Sequence, residues 1–529
     1  MYRALRNLLV ALTLYCNACA VPAAGTPAAV TRAETAFIDH LDAVGAVGYL
    51  ASGGARRYRD RDLADWKVVQ ATTRRDLESA MHALGTPSDD DRRAVEAMRR
   101  TLSALDSDDS TDAVRPRECR DAGRRELGYD DLRAALVSCY VEHGNHLRHG
   151  GGEIDRGTAL QLLHVLDDRA QRKAIFDAFG PLWSALNGRN EVDSPYRRMI
   201  ALAAAQARRD GSEIDAAARA IGVDTPTVER WLVQVLEAWS AANPGSDLVE
   251  PWDFRYAHGR ANRELQLHIP ASVLLPANRR FYRDLGADLD RLRVVFDLES
   301  RPDKSPLAYS DFLERGRTVD GTWHRPRARV LGTYPTGGLF SLNELVHENG
   351  HAVHLSAIRT RFADVTSWSV HEPAWQQRYL GTATDEADSM RALFANVVLD
   401  VAWSLFELRL LRDPASDPNA VWTDITHRYL RIAPHPEVPW WAMRVQLAGN
   451  PGYMVNYGLG AVLTAEIRDG VAGAIGPFDT GNARWYPWLG ERLLRFGSER
   501  DTRTLMRDLL GRPVAPDALL RQLRRTAQQ

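Results

Sequence analysis

The sequence has few lysines, few cysteines and no strong excess of either charge. Lysine occurs three times, at Lys67, Lys173 and Lys304, so arginine supplies nearly all of the positive charge. The 67 basic and 69 acidic residues leave a net charge of −2, which argues against a strongly basic nucleic-acid-binding protein. Apolar residues make up 45% and charged residues 26% of the 529 positions, and this balance excludes a disordered or collagen-like chain.

Long apolar segments are also missing, and the one short run lies at the N-terminus. The first twenty residues combine a basic start at Arg3 and Arg6, an apolar run over 8–15 and a small-residue cleavage site over 18–20. This pattern predicts a secretory signal peptide at 1–20, too short for a membrane-spanning helix. Lipid attachment at Cys19 is the alternative. We therefore expect an exported protein, either periplasmic or secreted.

Removal of this leader leaves two cysteines, Cys119 and Cys139. An even number of cysteines in an exported protein favours a disulfide. A bridge closing about 20 residues would contribute roughly 3 kcal/mol by constraining the unfolded chain. Two buried thiols are the alternative. A zinc site built on these cysteines is not expected, because the sequence has no CxxC pair.

The spacing of apolar residues predicts a mainly α-helical protein. Residues 31–240 repeat apolar positions at intervals of three and four, segment after segment. The Asn-Pro-Gly-Ser cluster at 243–246 interrupts this pattern. It marks the boundary between an N-terminal helical half, 21–245, and a catalytic half, 246–529. A short β-like segment at 327–334 precedes a return to helices.

Residues 214–232 read as a helix, a glycine turn and a second helix. DNA-binding helix-turn-helix modules share this pattern, so a nucleic-acid-binding regulator is a rival class of function. An ordinary helical hairpin is the simpler interpretation, and the leader and the neutral charge balance favour it.

The strongest motif is His347-Glu348-x-x-His351, in the segment LNELVHENGHAVH. Residues four apart on a helix lie on one face, one turn apart. Two imidazoles so placed can share one zinc ion. Glu348 lies on the same turn and can take a proton from a water whose pKa the zinc has lowered. We therefore expect a zinc site with Glu348 as the general base.

The third zinc ligand must come from another element. His354 lies seven residues after His347, roughly 10 Å further along the helix axis, and is too distant to share the ion. The sequence alone does not show which of the later carboxylate or imidazole side chains is the third ligand. These candidates are Asp364, His371, Glu372, Glu386 and Asp388.

The motif HENGHAVH resembles the HExGHxxH of the thimet oligopeptidase and neurolysin family of gluzincin metallopeptidases. The segment SWSVHEP is similar to the His-Glu stretches of the carboxypeptidase Taq and angiotensin-converting enzyme families. In those families this Glu is the third zinc ligand, which implies Glu372 here. Their loop before the Glu is three to five residues longer. Alignment on Pro373 with the Val-Glu-x-Pro pattern of thimet oligopeptidases would instead place His371 at the ligand position.

Two further segments support the same group. EPWDFRYAHGR at 250–260 resembles the Pro-Trp-Asp block upstream of the zinc helix in thimet oligopeptidases. NPGYMVNYGLGAVLTAEI at 450–467 resembles their Gly-Tyr-x-x-x-Tyr block, whose tyrosines reach the scissile carbonyl. The resemblance implies that Tyr453 and Tyr457 donate hydrogen bonds to the developing oxyanion. Packing aromatics are the alternative.

Several other residues are candidates for binding substrate. The segment 327–334 could be the edge strand of a small sheet, to which an extended peptide adds. Gly337 and Gly338 would then permit close approach of the substrate or movement of a lid. His354 lies near the active face of the zinc helix, and His435 lies in an aromatic, proline-rich segment. Arg444 could hold a peptide carboxylate.

Together these features predict a mainly α-helical, exported zinc metallopeptidase with one zinc ion. We expect two helical halves flanking a deep cleft, with a small β-sheet beside the zinc helix. Such a cleft would admit short peptides and exclude folded proteins, and we expect a monomer. Endo-oligopeptidase, carboxypeptidase and dipeptidyl carboxypeptidase modes stay open. A catalytically inactive zinc-bearing binding protein is the remaining alternative.

Overall fold

The fold is taken from a computed structural model of the chain. It describes residues 28–84, most of 91–102, and 117–527 apart from breaks at 246, 302–303, 305–307, 320–321, 358–363 and 497–499. The predicted signal peptide, 1–20, lies outside the described residues. In the part of the chain that is described, no helix is both long and apolar enough to cross a membrane.

Helices dominate the chain up to residue 284, as the apolar spacing predicts. They include α1 (Ala28–Ser52), α2 (Leu63–His82), α3 (Tyr129–Gly144), α4 (Arg156–Val165), α5 (Arg169–Asp177), α6 (Gly180–Asn187), α7 (Pro195–Asp210), α8 (Glu213–Ile221), α9 (Thr225–Ala242), α10 (Phe254–His258), α11 (Arg260–Leu265) and α12 (Ala271–Asp284). Short 3-10 turns lie at Cys119–Gly123 and Gln266–His268.

Within the described residues, seven short strands form three small sheets. They are β1 (Leu147–His149), β2 (Gly152–Ile154), β3 (Val295–Asp297), β4 (Tyr309–Glu314), β5 (Arg317–Val319), β6 (Thr322–His324) and β7 (Arg327–Leu331). Two of the sheets are hairpins, β1-β2 and β5-β6, and the third has the order β3-β7-β4.

The three-stranded sheet corrects one prediction. The β-like segment at 327–334 forms β7, but β7 is the central strand, parallel to β3 and antiparallel to β4. Its backbone groups are therefore paired on both sides and cannot receive a peptide. Among the described strands, β4 lies at an edge of this sheet, and both β4 and β7 pack against the zinc helix.

Helices return after the sheet. They include α13 (Gly338–Ala357), α14 (Asp364–Ser367), α15 (Pro373–Leu380), α16 (Glu386–Arg412), α17 (Pro418–Leu430), α18 (Val445–Gly449), α19 (Val455–Ile475), α20 (Trp485–Arg492), α21 (Thr502–Leu510) and α22 (Asp517–Arg524). Further 3-10 turns lie at Trp368–His371 and Leu494–Phe496.

The helix-turn-helix-like segment forms α8 and α9. Gly222 ends α8 with φ +85°, a conformation that favours glycine. The Asp224 side chain then accepts a hydrogen bond from Thr227 N and caps α9. One face of α9, including Leu232 and Trp239, is buried in the core, and α9 packs against α16. This pair of helices is part of the helical scaffold.

One apolar cluster extends from Cys119 to Leu523 and crosses the predicted boundary at residue 245. Both parts of the chain therefore share a core, which fixes their side chains relative to each other. The long helix α16 contributes many of the buried side chains and contacts both α9 and α19.

The predicted disulfide is present. The Sγ atoms of Cys119 and Cys139 lie 2.15 Å apart and tie the 3-10 turn at Cys119–Gly123 to α3. Cys119 also belongs, with Glu142 and His143, to the one group of three potential metal ligands that converges within 4.8 Å in the described residues. A disulfide sulfur has no thiolate charge to offer, so this group is not a metal site.

Candidate active site

Helix α13, which carries His347 and His351, begins at a sharp turn formed by two glycines. Gly337 and Gly338 have φ +64° and +84°, and a Cβ atom on Gly337 would lie 2.2 Å from the carbonyl oxygen of Ile269. The Gly338 amide donates to that same oxygen at 2.7 Å, and Gln161 Nε2 donates to the Gly337 carbonyl at 2.9 Å. The turn is held in place on two sides, which does not fit the predicted mobile lid.

His347 and His351 face each other on this helix, as their spacing predicts. Their Nε2 atoms lie 3.0 Å apart, and the rings meet edge to face. Asp364 Oδ1 lies 2.7 Å from Nδ1 of His347. Because a carboxylate accepts, Nδ1 carries a proton, and Nε2 is the nitrogen that can bind a metal ion, which displaces any proton held there. Two nitrogens this close need a cation or a proton between them, and tetrahedral zinc would place them about 3.3 Å apart. The pair fits zinc.

Glu348 is fixed by the edge strand β4. Its side chain is buried, with 6% of the residue exposed. The Ser310 hydroxyl lies 2.9 Å from Glu348 Oε2 and 2.8 Å from the Glu348 carbonyl oxygen. Ser310 and its neighbour Tyr309 both line the cavity that contains the two histidines. The edge strand therefore holds the predicted base where a substrate would lie.

Tyr453 and Tyr457 line the same cavity. Tyr453 precedes α19 and Tyr457 lies in its first turn, with the two rings edge to face at 6.0 Å. Gln446 Nε2 donates to the Tyr457 hydroxyl oxygen at 2.9 Å. Burial raises the pKa of Tyr457 well above its usual value, so its hydroxyl keeps the proton that it could donate to a substrate.

The cavity has a volume of about 570 Å³, within the range typical of small-ligand sites. Its other polar lining residues come from α11, α13, α14, α16, α18 and α19 and the 3-10 turn Trp368–His371. They are Asn262, Asn343, Asp364, Ser367, His371, Asn396, Asp400, Gln446, Asn456 and Thr464.

Burial also changes the acidity of a carboxyl group next to the base. Burial, together with repulsion from Glu348, raises the pKa of Glu344 to about 7. Burial would lower the pKa of His347, but the Asp364 carboxylate outweighs this and raises it to about 9. Three carboxyl groups, those of Asp364, Glu348 and Glu344, therefore act on the His347 imidazole, and such an environment attracts a cation.

Comparison with known proteins places this geometry in a wider context. The chain matches no family profile and no curated protein sequence. Its fold is similar to that of solved peptidases. A structure described as PZ peptidase A with an inhibitor has a TM-score of 0.55 and 14% identity, covering 92% of this chain and 95% of that one. A Pyrococcus furiosus carboxypeptidase has a TM-score of 0.54 and 16% identity, covering 94% and 97%.

These identities show a shared fold and no more. The predicted mainly α-helical class is confirmed by this similarity. The presence of peptidases among the similar structures agrees with the predicted class of protein. The finer resemblance to the thimet oligopeptidase and angiotensin-converting enzyme families stays a prediction.

The structure does not bring Glu372 to the two histidines. Both of its carboxylate oxygens accept from Arg525, at 2.8 and 2.6 Å, and Glu372 is not among the residues that line the cavity. The alternative, Glu386, accepts from Nε of the same Arg525 at 2.7 Å. The preceding residue, His371, does line the cavity. Neighbouring side chains in this turn project in different directions, so His371 lines the cavity and Glu372 does not.

His354 and His435 do not line the cavity. His354 is buried on α13, with 4% exposed. His435 lies 2.8 Å from Glu250 and 2.7 Å from Glu437, and these two carboxylates engage its ring nitrogens. The predicted roles of both residues in substrate binding therefore have no support in this geometry.

Three functional candidates could not be identified from the sequence as such. Ser310 precedes Glu348 by 38 positions and carries no motif. Asp364 is a predicted candidate ligand, but its position is that of an orienting group for His347. Asp400 lies mid-helix in α16, and its carboxylate pairs with Arg444. That pairing engages Arg444, the predicted substrate contact, and is visible only in three dimensions.

Proposed function

We propose that this protein is a metal-dependent peptidase that hydrolyses short peptides. The observation that carries the proposal is the single cavity shared by His347, His351, Glu348 and the two tyrosines. A cavity of about 570 Å³ suits a few residues of extended chain better than a folded protein. The edge strand β4 supports the same substrate class, because its residues Tyr309 and Ser310 line the cavity and an extended peptide can add to a strand at the edge of a sheet.

His347 and His351 would hold the ion, for which zinc is our proposal. When bound, zinc acts as a Lewis acid that polarises the peptide carbonyl and lowers the pKa of a water. Glu348 takes the proton of the attacking water and passes it to the leaving amine. Ser310 holds the carboxylate of Glu348 during this transfer. Tyr457, with Tyr453 beside it, donates to the carbonyl oxygen as that oxygen gains negative charge.

Three arginines around Asp400 favour removal of C-terminal residues over internal cleavage. Arg444 pairs with Asp400. Burial, together with the charges of Arg444 and Arg156, lowers the pKa of Arg255 to about 9. Of these residues Asp400 lines the cavity, so the arginines place positive charge behind it, and buried positive charge is stabilised by a nearby anion. The terminal carboxylate of a peptide would supply it. The carboxypeptidase among the similar structures agrees with this mode.

Export is part of the proposal. The leader at 1–20 predicts it, and the disulfide between Cys119 and Cys139 supports an oxidising compartment. A substrate pool of short peptides outside the cytoplasm would then be available to the enzyme.

The test is hydrolysis of a mixed peptide pool by the purified protein, with the products identified by mass spectrometry. We expect loss of C-terminal residues, abolished by a zinc chelator and restored by zinc. Glu348→Gln should retain zinc and lose activity by about 10²–10⁴-fold, the usual contribution of a general base. Glu229→Gln, which removes a surface ion pair with Arg412, is the matched control. Undiminished hydrolysis by Glu348→Gln would refute the mechanism.

A further inference from the structure

We propose that His371 completes the metal site and that Arg525 holds Glu372 outside it. The site would then contain three histidines, His347, His351 and His371. This inference rests on the proposed function, since it concerns the metal that the function requires.

The ring of His371 is oriented as a metal ligand should be. His371 ends the 3-10 turn Trp368–His371, is 4% exposed and lines the cavity with the other two histidines. Its Nδ1 lies 3.2 Å from the carbonyl oxygen of Ser389. A carbonyl only accepts, so Nδ1 carries the proton and Nε2 keeps its lone pair. Ligating histidines usually donate the other ring N–H to a carboxylate or a carbonyl. His347 does so to Asp364 and His371 to Ser389.

The residues around His371 hold it in this position. Gln376 Nε2 donates to Ser389 Oγ at 2.8 Å and to the Val370 carbonyl at 3.1 Å. This amide links α16, which supplies the acceptor for His371, to the turn that carries His371. The ring is therefore supported from both sides by buried groups, as the outer shell of a metal ligand generally is.

Glu372 is engaged elsewhere. Arg525 binds it through two nearly equal hydrogen bonds, 2.8 and 2.6 Å, and binds Glu386 through Nε. The adjacent residue Thr526 is anchored in turn, because Asn243 donates to its hydroxyl and Arg391 to its carbonyl. To reach the histidines, Glu372 would have to break a bidentate pair and leave Arg525 with only Glu386 and Gln522 as partners. His371 has no such pair to break.

The other acidic residues of the cavity have roles that compete with ligation. Asp364 orients His347 through Nδ1, Glu348 is the proposed base, and Asp400 pairs with Arg444. In the described residues, no third ligand atom lies within 4.8 Å of both Nε2 atoms. Binding an ion therefore requires one side chain to move inward, and His371 lines the cavity and can do so without breaking an ion pair.

The experiment compares two neighbouring substitutions, His371→Ala and Glu372→Gln. Zinc affinity is measured by competition with a chromophoric chelator, and the ligand field by the visible spectrum after replacement of zinc with cobalt(II). We expect His371→Ala to weaken zinc binding by more than about 100-fold, beyond the 10–100-fold loss typical of an outer-shell partner. Glu372→Gln should leave the affinity and the cobalt spectrum unchanged. His371→Glu, which restores a ligand at the same position, should recover much of the affinity.

Loss of zinc from Glu372→Gln with retention in His371→Ala would overturn the inference, and so would equal loss from both. X-ray absorption at the zinc edge of the wild-type protein provides a measurement that does not depend on the folding of any variant. Three imidazoles in the coordination shell would support the inference, and two imidazoles with a protein carboxylate would overturn it. A wild-type protein that binds no zinc would overturn both this inference and the proposed function. If X-ray absorption shows two imidazoles on zinc in the wild-type protein, and Glu348→Gln abolishes hydrolysis, this inference alone would be overturned.

Discussion

The Ser310 hydroxyl lies 2.9 Å from Oε2 of Glu348 and 2.8 Å from its carbonyl oxygen. Both residues are almost fully buried, with 2% and 6% exposed. Strand β4 thus fixes the direction of the proposed base on helix α13. Proton transfer depends on such positioning, because a base must stay within hydrogen-bonding reach of the proton that it takes.

Ser310→Ala should lower kcat by roughly 10–100-fold, because a hydrogen bond to a charged group is worth about 1.5–3 kcal/mol. KM and zinc content should change little, since Ser310 orients the base and does not bind the metal. Steady-state kinetics and metal analysis check this. Ser138→Ala removes a hydroxyl on α3 that bonds to backbone carbonyls away from the cavity and should leave kcat unchanged. An unaltered kcat in Ser310→Ala would show that Glu348 needs no such support.

Tyr457→Phe should reduce kcat/KM by about 10²–10³-fold, the usual effect of removing one oxyanion donor. Gln446 donates to the Tyr457 oxygen, so the phenol proton is left to point toward another acceptor. We expect Tyr453→Phe to cost less. Kinetics on one defined peptide compares the two. Tyr256→Phe, which loses a hydrogen bond to Asp167, serves as the control. Equal activity of Tyr457→Phe and wild type would assign Tyr457 to packing.

Local sequence was sufficient for the zinc helix and insufficient for the third ligand. The spacing of His347 and His351 translates directly into geometry, because both lie on one helix. The choice between His371 and Glu372 depends on Arg525, which is 153 positions from Glu372. No local pattern can reveal which of two adjacent side chains meets a distant arginine.

Strand order presented the same difficulty. The sequence of β7 predicts a strand but not its place in the sheet. Whether a strand is central or at an edge depends on its partners. Those partners, β3 and β4, are separated from β7 in the chain by the β5-β6 hairpin or more. The prediction of a small sheet beside the helix that carries His347 and His351 was therefore right, but β7 is its central strand and β3 and β4 are its edges.

Arg255→Met should reduce the preference for peptides with a free C-terminal carboxylate. We expect the ratio of kcat/KM for a free-acid peptide to that for its C-terminal amide to fall by at least about tenfold, since a buried charge contact is worth about 2 kcal/mol or more. Activity on the amide should change little. Arg230→Met alters an exposed arginine on α9 and should preserve the ratio. If both variants match the wild type, the arginine cluster does not bind the substrate terminus.

Glu407→Gln should change the pH dependence of stability. Glu407 is fully buried, and its Oε2 accepts from the Met454 amide at 2.8 Å, next to Tyr453. Burial raises the pKa of Glu407 to about 8. Because the pKa of Glu407 is higher in the folded than in the unfolded chain, its contribution to stability is fully present below about pH 4.5. This contribution is lost as the pH rises through about 8. The variant stays neutral throughout, so its stability relative to the wild type should increase over this range, by on the order of a few kcal/mol.

Urea unfolding at pH 5, 7 and 9 measures this difference directly. The variant should equal the wild type or be slightly less stable at pH 5 and should be clearly more stable at pH 9. The ion-pair variant Glu229→Gln should follow the wild type at every pH, since it removes only a partly exposed pair with Arg412. Parallel curves for wild type and Glu407→Gln would mean that Glu407 is ionised in the folded protein. The Met454 amide, next to Tyr453, would then be bonded to a carboxylate anion. Ionisation of Glu407 could in that case not account for a loss of activity above pH 8.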